Sequence, residues 1–115
     1  MLYDLTELRS YSNGDKEFEL DMFQTFLDQT TEFMAQIDGF MDQNNMLEAG
    51  KVAHKFKSSV GIFGMESIRR NLEIMETSCR VHTERERIEE IYQNVKELVS
   101  QVVPQIEAEK LACLE

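Results

Sequence analysis

Residues 18–41, FELDMFQTFLDQTTEFMAQIDGFM, carry the pattern that decides the fold. Phe23, Thr30 and Ile37 form one seven-residue row, Phe26, Phe33 and Phe40 a second, and Leu20, Leu27, Met34 and Met41 a third. Three adjacent rows on a helix make an apolar arc of about 120° or more, wider than a two-stranded seam requires. Such an arc fits a bundle helix that touches two neighbours, or one whose edge stays open to a partner. The stretch predicts a helix over 15–43, opened after the Ser12-Asn13-Gly14 turn with Asp15 as its cap and broken at Asn44-Asn45.

Upstream, Leu5, Leu8 and Tyr11 predict a short amphipathic helix over 4–11. Downstream, Ala49, Val52, Ala53, Phe56, Ser59, Val60 and Phe63 share one face of a helix over 46–63 that ends before Gly64. Ile68, Leu72, Met75 and Cys79 predict a helix over 65–80, and Ile88, Ile91, Tyr92, Val95, Leu98, Val99, Val102 and Ile106 one over 84–110. Val81-His82-Thr83 is the expected link between these two, with Thr83 or Ser78 as cap and His82 a solvated loop residue. Pro104, inside the last pattern, predicts a kink or an early end, because proline lacks the backbone N–H and its ring clashes with the preceding turn. The expected fold is all-α: an antiparallel up-down four-helix bundle with a short additional N-terminal helix, one domain over 1–115.

Composition agrees with that class and removes others. The chain has 115 residues, one proline, five glycines and no tryptophan, with 12 Lys and Arg against 22 Asp and Glu, a net charge of −10. A chain of this size buries roughly two-thirds of its unfolded surface, enough for one core and too little for two. No apolar run approaches the roughly 18–20 residues of a membrane span, and the acidic first 20 residues do not resemble a targeting segment, so a cytoplasmic location is expected. Nucleic acid is a poor partner for so acidic a chain, since such binding relies on Lys and Arg. Cys79 and Cys113 have no CxxC or CxxH spacing, so both are expected reduced and no metal site is suggested.

The charge is uneven. Eight acidic residues and no Lys or Arg lie between Glu17 and Gly50, and then Lys51, Lys55 and Lys57 follow within seven residues. On a wheel of about 100° per residue with His54 at zero, Gly61 falls near −20°, Gly50 near −40° and Ser58 near +40°. Lys57 falls near −60°, Lys51 near +60° and Lys55 near +100°, with Phe56 and Phe63 on the far side. His54 therefore points away from the core among small residues and three ammonium groups. Glycines cost a helix about 1 kcal/mol each relative to alanine, so their place on the His54 face calls for a compensating role such as clearance for a partner.

An exposed imidazole, with a pKa near 6.5, is largely neutral at pH 7 and offers a nucleophilic nitrogen, and lysines stabilise a phosphoryl group as point charges. No second His, Cys or carboxylate lies three or four residues from His54, which argues against a metal ligand. Spacing alone leaves two readings, a phosphohistidine or an ordinary surface histidine on a lysine-rich helix.

Ala53-His54-Lys55-Phe56-Lys57-Ser58-Ser59 followed by Phe63-Gly64 resembles the A-H-x-x-K-[GS]-[SA] … [LF]-G signature of histidine-containing phosphotransfer domains. Gly14-Asp15-Lys16-Glu17-Phe18, with Met22-Phe23 and Phe26-Leu27, is similar to the G-D-x-E-F opening of that family's second helix, and Ile68, Leu72, Met75 and Glu76 to its L … L-E helix. The resemblance covers about Leu5 to Val103.

It implies that His54 accepts a phosphoryl group and passes it to and from aspartates of response-regulator receiver domains in a two-component phosphorelay, fed by a hybrid sensor kinase. It implies that Lys57 lies near the phosphate, that Ser58 stands where the family usually has glycine, and that Glu76 orients the imidazole or the phosphate. Lys55 and Lys51 rest on the wheel alone. Gly50 and Gly61 are expected to give docking clearance, and Leu20, Phe23 and Leu27 to form an adjoining docking edge. No nucleotide-binding box is present, so a carrier without kinase activity or cofactor is expected, monomeric, with any divalent metal on the receiver. The rival from another class is a helical adaptor without phosphotransfer.

Overall fold

The turn before the long N-terminal pattern is made by Asn13 and Gly14, both in the left-handed region (φ 49° and 88°), and the Asp15 carboxylate then accepts from the Phe18 N–H at 3.1 Å. That cap satisfies one of the free N–H groups at the helix start. In the computed structural model, which describes residues 2–115, this helix is the second of five. They are α1 (Thr6–Ser12), α2 (Lys16–Asp42), α3 (Met46–Val60), α4 (Glu66–Arg80) and α5 (Arg85–Ala112), and no strand occurs among the described residues. Asn45 caps α3 by accepting from the Glu48 N–H at 3.3 Å.

α3 packs on α2 and α4, α4 on α5, and α5 back on α2. The Phe33 ring stands 5.6 Å from Phe56 and the Phe26 ring 5.0 Å from Phe63, so residue numbers fall along α2 as they rise along α3. Tyr92 of α5 donates to Asp38 of α2 at 2.7 Å, and Arg85 to Asn44 at 3.0 Å. Phe23, Phe26, Phe56, Val60, Ile68, Leu72, Met75, Ile88, Val95 and Ile106 fill the space between the helices and are almost wholly buried. Each such side chain contributes about 1.5–3 kcal/mol of apolar burial. No helix is long and apolar enough to cross a membrane.

Several sequence expectations change. Phe23 is fully buried against Phe63, with ring centroids 6.2 Å apart, and cannot form a docking edge. α3 stops at Val60, and Gly61–Phe63 form a tighter 3-10 turn ended by Gly64 at φ 62°. Gly64 meets a second demand, because a Cβ there would lie 2.5 Å from the Asp4 carbonyl oxygen; the N-terminal segment crosses directly over it, and the Asp4 N–H donates to the Phe63 carbonyl at 2.9 Å. α5 does not end at Pro104 but runs eight residues further to Ala112. Pro104 is solvent-exposed, where water can satisfy the freed carbonyl, and the turn beyond it is tied down by buried Ile106 and by Glu109, which accepts from Tyr3 and Arg9. Neither Thr83 nor Ser78 caps α5; its N-cap is Glu84, which makes no side-chain capping bond, and His82 turns the chain in the left-handed region.

Candidate functional site

On α3, Val52, Ala53 and Phe56 point into the core, and His54 and Lys55 between them face out. The His54 side chain is 58% exposed. Its Nδ1 lies 2.8 Å from Oε1 of Glu76, which projects from α4 next to the buried Met75. The other oxygen, Oε2, accepts from Lys57 Nζ at 3.0 Å. One carboxylate thus joins two residues that are neighbours on α3.

The electrostatics of Glu76 follow from those contacts. Partial burial by itself would raise its carboxyl, but the hydrogen bonds from Lys57 and then His54, with the charges of both, outweigh it and hold the group below the ordinary glutamate range. Glu76 is an anion at neutral pH and can only accept, so in the neutral ring Nδ1 carries the proton and Nε2 keeps its lone pair, directed away from the carboxylate. The arrangement presents a nucleophilic nitrogen with one cation held beside it.

The other expected site residues are not all drawn in. Ser58 donates to the His54 carbonyl oxygen at 3.3 Å, so its hydroxyl is turned onto its own helix. Lys51 is paired with Glu48 at 3.0 Å on the surface, an exposed pair of the kind that contributes little. Lys55 is exposed and has no ion-pair partner among the described residues. At Gly61 an added Cβ would meet nothing within 4 Å, so the surface there is open.

Gly50 is corrected. It is buried, and a Cβ on it would stand 2.6 Å from the Cβ of Cys79 and 3.6 Å from the Glu76 carbonyl oxygen. The wheel gave its angle correctly, but α4 occupies that side. Gly50 lets α3 and α4 approach closely, and the close approach brings Glu76 within reach of His54. Leu20 and Leu27 are half-buried on α2. With Phe33 opposite Phe56, His54 is level with residue 35 of α2, so Leu27 lies about 12 Å and Leu20 about 22 Å further along the axis at 1.5 Å per residue.

The resemblance implied that Glu76 orients the imidazole or the phosphate; what the sequence did not foretell is that the same carboxylate also holds Lys57. Arg80 and Leu47, which line the groove beside His54, were missed as well. Leu47 carries a detectable signal, an apolar residue off the core face of α3, whereas Arg80 carries none. Among the described residues no group of three or more His, Cys, Asp or Glu is placed to hold a metal ion. Cys79 is buried and unpaired, its thiol pushed up to about 11 by burial, and Cys113 is also free.

Comparison with known families gives one match: a model described as the Hpt domain covers residues 21–108. Comparisons with curated proteins and with solved structures give none.

Proposed function

Because the chain belongs to the Hpt domain family, whose members carry phosphoryl groups on histidine in phosphorelays and lack kinase activity of their own, we propose that His54 is its phosphoacceptor. The observation that carries this reading is the Glu76 carboxylate on Nδ1, which leaves Nε2 free on a side chain that is more than half exposed. In the proposed step, the Nε2 lone pair attacks the phosphorus of a receiver-domain phosphoaspartate. The N–P bond forms as the acyl P–O bond breaks, and the aspartate carboxylate leaves with the bonding pair. No proton need depart, because the one on Nδ1 stays hydrogen-bonded to Glu76, whose charge balances the imidazolium character of the product. Lys57 can turn from Glu76 to the bound phosphoryl group. Transfer to the next receiver reverses these events.

The reading extends to the frame. The four long helices run up and down in antiparallel succession with α1 over one end, which the Phe33–Phe56, Tyr92–Asp38 and Arg85–Asn44 pairs support. Gly61 gives clearance, and the chain acts in the cytoplasm as a monomer between a hybrid kinase and response regulators. The divalent metal and the acidic pocket that bind the phosphoryl group belong to the receiver.

The test is incubation with a panel of phosphorylated receiver domains. Wild type should gain acid-labile, alkali-stable label and His54→Gln none. Equal labelling of the two proteins, or none of wild type by any receiver, would contradict the proposal.

A further inference from the structure

Between α3 and α4, on the Asn45 side of His54, runs an open groove of about 450 Å³. Leu47, Gly50, Lys51 and Lys55 from α3 and Arg80 from α4 line it, and His54 and Glu76 form part of the same wall. Leu47, on the first turn of α3, leaves 49% of its surface exposed instead of joining the core.

The cations of the groove stand out against the rest of the molecule. Of the 12 Lys and Arg residues, Arg9, Lys51, Lys57, Arg69, Arg70, Arg85, Arg87 and Lys96 are ion-paired. That leaves Lys16, Lys55, Arg80 and Lys110 without an ion-pair partner among the described residues. In a chain with 22 acidic residues, two of these four flank one apolar opening next to the nucleophile. Unpaired cations around an apolar floor complement a partner that inserts an apolar side chain flanked by carboxylates.

We propose that the receiver domain docks off-centre on His54, over the α3–α4 groove, with Leu47 as the apolar anchor and Lys55 and Arg80 engaging carboxylates on the receiver's rim. The inference rests on the phosphocarrier reading, since the groove shares His54 and Glu76 with the transfer site, so an occupant seated there lies against the His54 side chain. It places the apolar anchor on Leu47 of α3 rather than on Leu20 and Leu27 of α2. Association through such a rim acts mainly on encounter and affinity, leaving the chemical step alone.

The experiment measures transfer from a phosphorylated receiver domain that labels wild type, as KM and kcat at low salt and at about 0.5 M salt. Variants are Lys55→Glu with Arg80→Glu, Leu47→Asp, and a control of equal charge, Lys16→Glu with Lys110→Glu, at the far end of the molecule. Direct labelling of His54 by phosphoramidate, a small donor that needs no docking, is measured in parallel. We expect the groove variants to raise KM at least tenfold while kcat and phosphoramidate labelling stay at wild-type rates. The control should change KM less than threefold, and the charge effect should shrink at high salt. A KM within twofold of wild type in both groove variants, or an equal rise in the control pair, would overturn the docking proposal. Loss of phosphoramidate labelling in the groove variants would also overturn it, because their effect would then lie in the chemistry of His54. Failure of wild type to take label from phosphoramidate or any receiver would instead overturn the carrier reading.

Discussion

Two glutamates, Glu76 and Glu19, do opposite things with the same functional group. Glu76 leaves 20% of its side chain exposed, and each of its oxygens takes a bond from a different residue of α3. Glu19 leaves 4% exposed; one oxygen accepts from the Ser12 hydroxyl at 2.7 Å, and the other has no hydrogen-bond partner, with Arg9 Nε no closer than 3.9 Å. Around Glu19 the contacts tie chain ends together. Arg9 also reaches Glu109 at 3.3 Å, and Glu109 accepts from the Tyr3 hydroxyl at 2.8 Å. That end fastens α1 across α2 and α5. A carboxylate bonded to a solvent-open imidazole is placed to orient it, whereas the same group, closed off, is a fastener.

The two regions should therefore respond to substitution in different observables. Glu76→Ala should slow phosphoryl transfer by about 10–100-fold, the usual effect of removing a group that orients a reactive imidazole, with a circular dichroism spectrum like that of wild type. Transfer at the wild-type rate would remove Glu76 from the mechanism. Gly50→Ala should blur the contrast, because the new Cβ meets Cys79. The expected result is a loss of about 1–3 kcal/mol in urea unfolding together with slower transfer, as α4 and Glu76 are pushed away from His54. A stable Gly50→Ala protein with normal transfer would show that the close approach is not needed. Ser12→Ala should sharpen the contrast by acting on stability alone. Leaving Glu19 without its remaining hydrogen bond should cost about 1 kcal/mol in the same unfolding assay, and the transfer rate should not move.

The sequence made the helical rows and the solvent-facing His54 legible because helical periodicity is local: each row is set by residues three to seven apart. What lies opposite a given angle is not local. Gly50 and Phe23 show this in two ways. The wheel located Gly50 on the His54 side without revealing that α4 covers it, and the three apolar rows of α2 did not say that the row of Phe23, Thr30 and Ile37 is the one fully buried. Pro104 does not end α5, because its local penalty is outweighed by distant ties, Ile106 in the core and Glu109 to Tyr3 and Arg9. Glu76 was found through resemblance to a family motif, 22 residues from His54, since nothing in the spacing alone pairs them.

The central claim is that Glu76 fixes the proton on Nδ1 so that Nε2 reacts. The most direct measurement is nitrogen-15 NMR of the His54 ring before and after phosphoryl transfer from a receiver domain. The account predicts a protonated Nδ1 throughout and a phosphorus–nitrogen coupling on Nε2 after transfer. A coupling on Nδ1, or a free protein whose neutral ring carries its proton on Nε2, would contradict it.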